Sequence, residues 1–177
     1  MPRSSRAMPP CSPLVLVGPM GAGKTSIGRR VSKALGIDFI DTDTAVQREH
    51  GPIEQIFQTH GEAAFRAWER AAVREALSRG DVVVSLGGGA VLDADTRADL
   101  AECRVVMLTV DPLLAGEDPL VRWRRIWQER RSLYESVADI TIDTSTGHLQ
   151  HVVDEIATWA RREPEPTEPR DPEKEQS

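Results

Sequence analysis

The chain has 177 residues, a net charge of −6 at pH 7 and two cysteines. Residues 1–13 (four prolines, two arginines) and 163–177 (six acids, two bases, four prolines) cannot bury enough surface to offset their ordering entropy and read as disordered tails, leaving residues 14–162 as one domain of 149 residues. That domain is mildly acidic, which excludes the basic footprint of a duplex-binding protein, and no apolar run is long enough for a membrane span or a signal-peptide core.

Cys11 and Cys103 form neither a disulfide framework nor a metal-ligand spacing, so a reducing cytoplasm is the simplest compartment. No internal repeat is visible. Short apolar runs alternate with helical patterns along the chain. Strands are expected at 14–17, 39–41, 81–86, 104–110 and 139–143, and helices at 24–35, 53–60, 62–79, 94–101, 119–134 and 149–161. Such alternation predicts an α/β fold with a parallel sheet, right-handed crossovers and ligands at the carboxyl ends of the strands.

The first strand runs directly into Gly18-Pro-Met-Gly21-Ala-Gly23-Lys24-Thr25, which fits G-x-x-x-x-G-K-[ST] and precedes a helical pattern. Glycines let the backbone turn tightly and aim N–H groups at phosphate oxygens. The helix N-terminus adds positive potential, Lys24 can reach the outer phosphates, and the Thr25 hydroxyl can ligate Mg²⁺. The motif points to ATP or GTP and says nothing about the acceptor.

After the second strand, Asp41 and Asp43 stand two residues apart. Extended backbone would turn both to one side, where one could hold a metal's water shell and the other accept a hydrogen bond from a substrate hydroxyl. The competing reading makes Asp43 the N-cap of a helix over 44–49. Further on, Arg66 and Glu69 are helix neighbours at i, i+3. A glutamate holding a guanidinium preorganises its fork for a carboxylate ligand, but from spacing alone an ordinary surface ion pair explains it as well. Arg70 and Arg74 of the same helix read as solvated face. The strand at 81–86 then enters Gly87-Gly88-Gly89, where missing side chains allow a ligand to approach the backbone, or a turn simply to bend.

In this order the motifs resemble the shikimate kinases, small P-loop kinases of the nucleoside-monophosphate-kinase type. The stretches that carry the resemblance are GPMGAGKTSIGRR, DFIDTD, GEAAFRAWE, SLGGGA, PLLAG and Arg130-Arg-Ser-Leu133-Tyr134, spanning nearly the whole domain. The resemblance implies a three-layer fold, a five-stranded parallel sheet flanked by helices. It implies transfer of phosphate from ATP, with Mg²⁺, to the 3-hydroxyl of shikimate on the route to chorismate and aromatic amino acids. Gly21, Ala22, Gly23, Lys24, Thr25 and Ser26 would hold the nucleotide phosphates. Thr25 would ligate the metal, with Asp41 acting through water. Asp43 would contact the accepting hydroxyl and take its proton, making Lys24 and Asp43 the catalytic pair. Arg66, braced by Glu69, and Arg130 would clamp the substrate carboxylate beside Gly87, Gly88 and Gly89. The family is commonly monomeric.

The chain departs from the family in one place. After the fourth strand the family has another helix and then a basic loop ending in Arg-Pro-Leu-Leu. Here Val110 runs straight into Asp111-Pro112-Leu113-Leu114-Ala115-Gly116, so roughly 12–16 residues, about one helix, are missing. With them go the arginine beside adenine and the lid arginine, whose place Asp111 takes. The expectation is an intact core, a strand four that loses cover on one face, and an altered nucleotide flank. Arg122, Arg124, Arg125 and Arg131 read as the solvated face of a helix packed through Trp123 and Trp127. Two alternatives stay open: a binder of nucleotide or shikimate with impaired transfer, and a kinase for another small hydroxy acid.

Overall fold

The computed structural model describes residues 12–110, 119–145 and 147–162. Five strands form one wholly parallel sheet: β1 (Leu14–Val17), β2 (Asp38–Asp41), β3 (Val82–Ser85), β4 (Arg104–Thr109) and β5 (Ile140–Asp143), in the order β2-β3-β1-β4-β5. Six helices flank it: α1 (Lys24–Leu35), α2 (Thr42–His50), α3 (Ile53–Leu77), α4 (Ala94–Leu100), α5 (Pro119–Val137) and α6 (Leu149–Ala160). Among the described residues no helix is long and apolar enough to cross a membrane.

The strands are apolar throughout because both faces are covered. Val15, Val17, Val82, Val84, Val105 and Met107 share one buried cluster with Val73 of α3, Leu100 of α4 and Tyr134 and Val137 of α5. Leu14, Leu16, Val83, Val106, Leu108 and Ile142 share the other with Ile27 and Val31 of α1 and Val152, Val153 and Ile156 of α6. Each of these aliphatic side chains contributes about 1.5–3 kcal/mol by leaving water. Strand four is therefore not short of cover. Val105, Val106, Met107 and Leu108 are all essentially inaccessible. Successive residues of β4 face α4 and α5 on one side and α6 on the other, so neither face is bare.

A third, smaller cluster sits off the sheet, where Val46 of α2 meets Ile56 and Phe65 of α3, with Trp68 packed beside it. The ring of His50 stacks on Trp68 at 3.8 Å. Helices α2 and α3 thus form a lobe with its own packing. The two helical patterns expected at 53–60 and 62–79 are one run broken at Gly61, whose φ of 81° and ψ of 171° no helical residue adopts. The break re-aims the chain so that Arg66 and Glu69 face the sheet's carboxyl edge.

The tails lie mostly or wholly outside the described residues, as do Asp111 and the side chains of Arg122, Trp123 and Arg124. Arg125 and Arg131 are exposed and pair with Glu129 (3.4 Å) and Glu135 (2.7 Å), a solvated helix face as expected.

Candidate active site

The three adjacent strands β2, β3 and β1 end at one edge, and each delivers one part of a common cleft. From β1 the chain enters the phosphate loop. Gly18 must be glycine, since a Cβ there would overlap the carbonyl oxygen of Leu108 in the neighbouring strand. Gly23 precedes α1 in the left-handed conformation, φ 84°. The ε-ammonium of Lys24 folds back over the loop and donates to the carbonyls of Gly18 (2.8 Å) and Pro19 (2.9 Å). Burial pulls its pKa down to about 8, against the opposing pull of Asp43 and Asp41. Gly21, Gly23 and Ser26 are exposed along the loop and the first turn of α1, whereas Ala22 is buried.

At the end of β2 the Thr25 hydroxyl donates to Asp41 Oδ2 at 2.6 Å. The other carboxylate oxygen of Asp41 accepts the backbone N–H of Thr44 at 2.9 Å. Asp41, not Asp43, is the N-cap of this helix, which begins at Thr42 rather than Thr44. Extended backbone ends at Asp41, so the two acids do not share a side by strand alternation. Asp43 instead reaches the cleft from the first helical turn. Burial raises its pKa and the charge of Asp41 adds to this, while Lys24 and Arg66 oppose it. Thr42, between them, is fully buried. Its hydroxyl donates to the Ser85 carbonyl (3.4 Å) and accepts the Gly87 N–H (3.1 Å), tying β2 to the turn after β3.

That turn holds the three glycines against charged side chains. A Cβ at Gly87 would overlap Asp43 Oδ1 and come within 2.9 Å of Glu69 Oε1, and one at Gly89 would lie 2.5 Å from the Arg66 guanidinium. Close approach, not flexibility, explains glycine at both positions. A 3₁₀ turn (Ala90–Leu92) follows, and Asp93 then caps α4.

Arg66 Nη1 donates to Glu69 Oε2 at 2.5 Å, and Glu62 lies 3.6 Å from Arg66 Nε. Glu69 is 4% exposed, so this is not the surface ion pair that spacing alone allows. Burial raises the Glu69 pKa, opposed by the hydrogen bond from Arg66. Arg130 of α5 reaches the same place, with Nη1 3.8 Å from the position a Cβ on Gly88 would take. Lys24, Asp41, Asp43, Arg66, Glu69, the triple glycine and Arg130 are therefore one constellation.

Arg70 is not solvated face. It pairs with Asp99 of α4 (2.7 Å) and Asp93 (3.6 Å), bracing α3 against the element after the triple glycine. It lines, with Arg66, Glu69 and Thr96, a cavity of about 300 Å³ on the outer side of the clamp. A larger groove of about 760 Å³ runs along β5 and α6 and shares no residue with the constellation.

The shikimate kinase family model matches residues 20–161. The chain belongs to the shikimate kinase family. A shikimate kinase of Thermobifida fusca is 42% identical, with 84% of this chain and 92% of that protein covered. One of Streptomyces coelicolor is 45% identical over 74% of this chain and 85% of its own length. Among solved structures, shikimate kinase from Acinetobacter baumannii in complex with shikimate is 34% identical, with a TM-score of 0.78 over 84% of this chain and 92% of that one. Shikimate kinases are ATP-dependent phosphotransferases, and the expected α/β architecture with its five-stranded parallel sheet is the one observed. The alignment to the Thermobifida protein runs over 164 positions while taking in 84% of 177 residues, about 149, so about 15 of its positions face no residue here. That number matches the length of the expected shortfall.

Three residues that support the constellation had no role of their own in the sequence reading. Thr42 and Tyr134 hold the triple-glycine turn from opposite sides. Thr144, after β5, donates to the carbonyls of Thr109 (2.8 Å) and Ala22 (3.2 Å), fixing the phosphate loop to the sheet. The available signal was the i, i+4 spacing of Arg130 and Tyr134 on one helix.

Proposed function

We propose that this chain transfers the γ-phosphoryl group of ATP to the 3-hydroxyl of shikimate. The observation that carries this reading is the pair of Arg66 with the buried Glu69, lying across Gly87 and Gly89 from Asp43. A cation for a carboxylate and a base for a hydroxyl then meet where a strand end exposes bare backbone. Arg66, held by Glu69, and Arg130 bind the substrate carboxylate. The backbone amides of residues 21–26 at the α1 N-terminus and the Lys24 ammonium hold the β- and γ-phosphates.

The donor set suits Mg²⁺. Thr25 Oγ1 and Asp41 Oδ2 are hard oxygen donors at one point, and among the described residues no group of three or more His, Cys, Asp or Glu forms a cage of its own. Magnesium held by few protein ligands together with substrate phosphates has this pattern. Bound there, it would neutralise phosphate charge. Thr25 would be a direct ligand, and Asp41, as the family resemblance implies, would act through water.

In the transfer step the substrate oxygen attacks the γ-phosphorus, the bond to the β–γ bridging oxygen breaks, and ADP leaves. The hydroxyl proton passes to Asp43. Such a reaction asks mainly for alignment and charge neutralisation, which fixed side chains supply without reorganisation. Burial keeps Asp43 more basic than an ordinary carboxylate, which favours it as acceptor.

The test is ADP release coupled to NADH oxidation, with shikimate and a panel of small hydroxy acids. Shikimate-dependent ADP is expected. None above background would overturn the reading in favour of a non-transferring homologue, and higher kcat/KM with another acid would move the acceptor assignment.

A further inference from the structure

Tyr134 is 1% exposed, yet its hydroxyl is fully engaged. It donates to the carbonyl of Gly88 at 2.5 Å, and the Arg130 guanidinium one helical turn earlier comes to the same place: a Cβ on Gly88 would lie 3.7 Å from the Tyr134 hydroxyl and 3.8 Å from Arg130 Nη1. The ring is held in the core beside Val137, Met107 and Leu86 and stacks with Trp127, centroids 6.1 Å apart. The hydroxyl's position is therefore set by packing.

The carbonyls of the triple glycine have separate fates. Gly87 O accepts from Ala90 N and Gly89 O from Leu92 N, both at 3.1 Å, and so belong to the 3₁₀ turn. Gly88 O turns the other way, toward α5. In a trans peptide the N–H points opposite to the C=O, so fixing Gly88 O also fixes the direction of the Gly89 N–H. A peptide between two glycines flips at little steric cost, and local backbone alone does not hold it.

We propose that Tyr134 is a positioning residue that fixes Arg130 and the Gly88–Gly89 peptide relative to each other through one hydroxyl, making the acid clamp and the glycine turn a single preorganised surface for the substrate. The inference rests on the assignment of Arg130 and the triple glycine to the shikimate side. The position a Cβ would take on Gly88 lies 3.9 Å from the carbonyl oxygen of Gly18, so the same peptide also borders the phosphate loop. Tyr134 itself contributes no group to the phosphates, which separates its effect on the two substrates.

Tyr134→Phe keeps the ring, its burial and its stacking and deletes only the shared oxygen. In the full-length protein the shikimate KM is expected to rise about 10-fold, since the bond that holds the Gly88 carbonyl is lost and the polar neighbour of the Arg130 guanidinium goes with it. The KM for ATP should stay within about twofold and kcat should change less than the shikimate KM. A second readout needs no turnover: in protein labelled with ¹⁵N-glycine, the Gly88 and Gly89 amide resonances should shift or broaden while those of Gly36 and Gly80 stay. An unchanged shikimate KM in an active enzyme overturns the proposal. So does a parallel rise in both KM values with a lowered melting midpoint, which marks a packing role only. Wild-type protein without shikimate-dependent ADP release would instead sink the functional assignment, and the glycine resonances alone would then decide the positioning.

Discussion

On the phosphate side of the cleft the donors are backbone amides and one lysine, which in this structure rests on its own loop's carbonyls. On the acceptor side the parts are side chains that hold one another: Glu69 on Arg66, Thr42 on Gly87, Tyr134 on Gly88 and Arg130. A backbone cradle is specified by a short local sequence and tolerates changes nearby. A clamp of side chains from α2, α3 and α5 requires the whole sheet edge to be in register. The shortfall expected after Val110 would fall on the nucleotide side and leave the acceptor side entire. The two sides should therefore fail differently when they are perturbed.

The largest effect is expected at Asp43, which borders both sides and feels Lys24 and Arg66 together. Asp43→Asn keeps the size and removes the base, so kcat should fall by about 10²–10⁴-fold with the KM for ATP little changed. Steady-state kinetics with each substrate varied in turn check this. A loss expressed mainly in the KM for ATP would place Asp43 with the phosphates instead.

Next comes the clamp. Arg66 serves Glu69 through Nη1 and has Glu62 3.6 Å from Nε, which leaves Nη2 to meet a ligand's carboxylate. Lysine cannot do both in one plane, so Arg66→Lys should raise the shikimate KM by about 10–100-fold while leaving the KM for ATP near its original value. Equal losses for both substrates would erase the distinction between the two sides.

A smaller effect is expected from pH on the phosphate side. Lys24, with a pKa of about 8 in the free protein, is charged below that value and neutral above it. At saturating shikimate, kcat/KM for ATP should be level below pH 8 and fall above it, by no more than about tenfold per pH unit for one proton. Bound phosphates favour the ammonium, so kcat at saturating ATP should break at a higher pH. A profile flat to pH 10 would mean that burial does not govern this lysine.

Much of this was legible because a phosphate loop constrains its backbone locally: Gly18, Gly23 and Lys24 stand where a strand must turn into a helix, and no distant contact alters that. Strand and helix order followed from period in the same way. One misreading was local, and the others came from contacts between segments far apart in sequence. Asp41 and Asp43 exchanged the capping role because the helix starts two residues earlier than its apolar pattern suggests. The face of β4 expected to be bare is covered because α4, α5 and α6 still reach it. Tyr134 had no role of its own in the sequence reading, since nothing local reveals that its hydroxyl meets a carbonyl 46 residues away.

The last contrast lies within α3. Arg66 and Arg70 are one turn apart and look alike in sequence, but their partners give them different work. Arg66 has a buried glutamate, Glu69, and a more exposed one, Glu62, at 3.6 Å, but its guanidinium lies against the glycine turn. Arg70 has two half-exposed aspartates, Asp93 and Asp99, that neutralise it from α4 and its cap, and its Nη1 is buried without a partner. A guanidinium already surrounded by acids offers little to an anionic substrate. Arg70→Met should therefore leave the shikimate KM within about twofold. Its cost should appear in stability: losing a partly exposed pair worth about 1 kcal/mol lowers the melting midpoint by about 2–4 °C in a domain of this size. Relief of the unpartnered nitrogen makes that shift smaller still. A tenfold rise in the shikimate KM would show that the acid clamp extends through the outer cavity to Arg70.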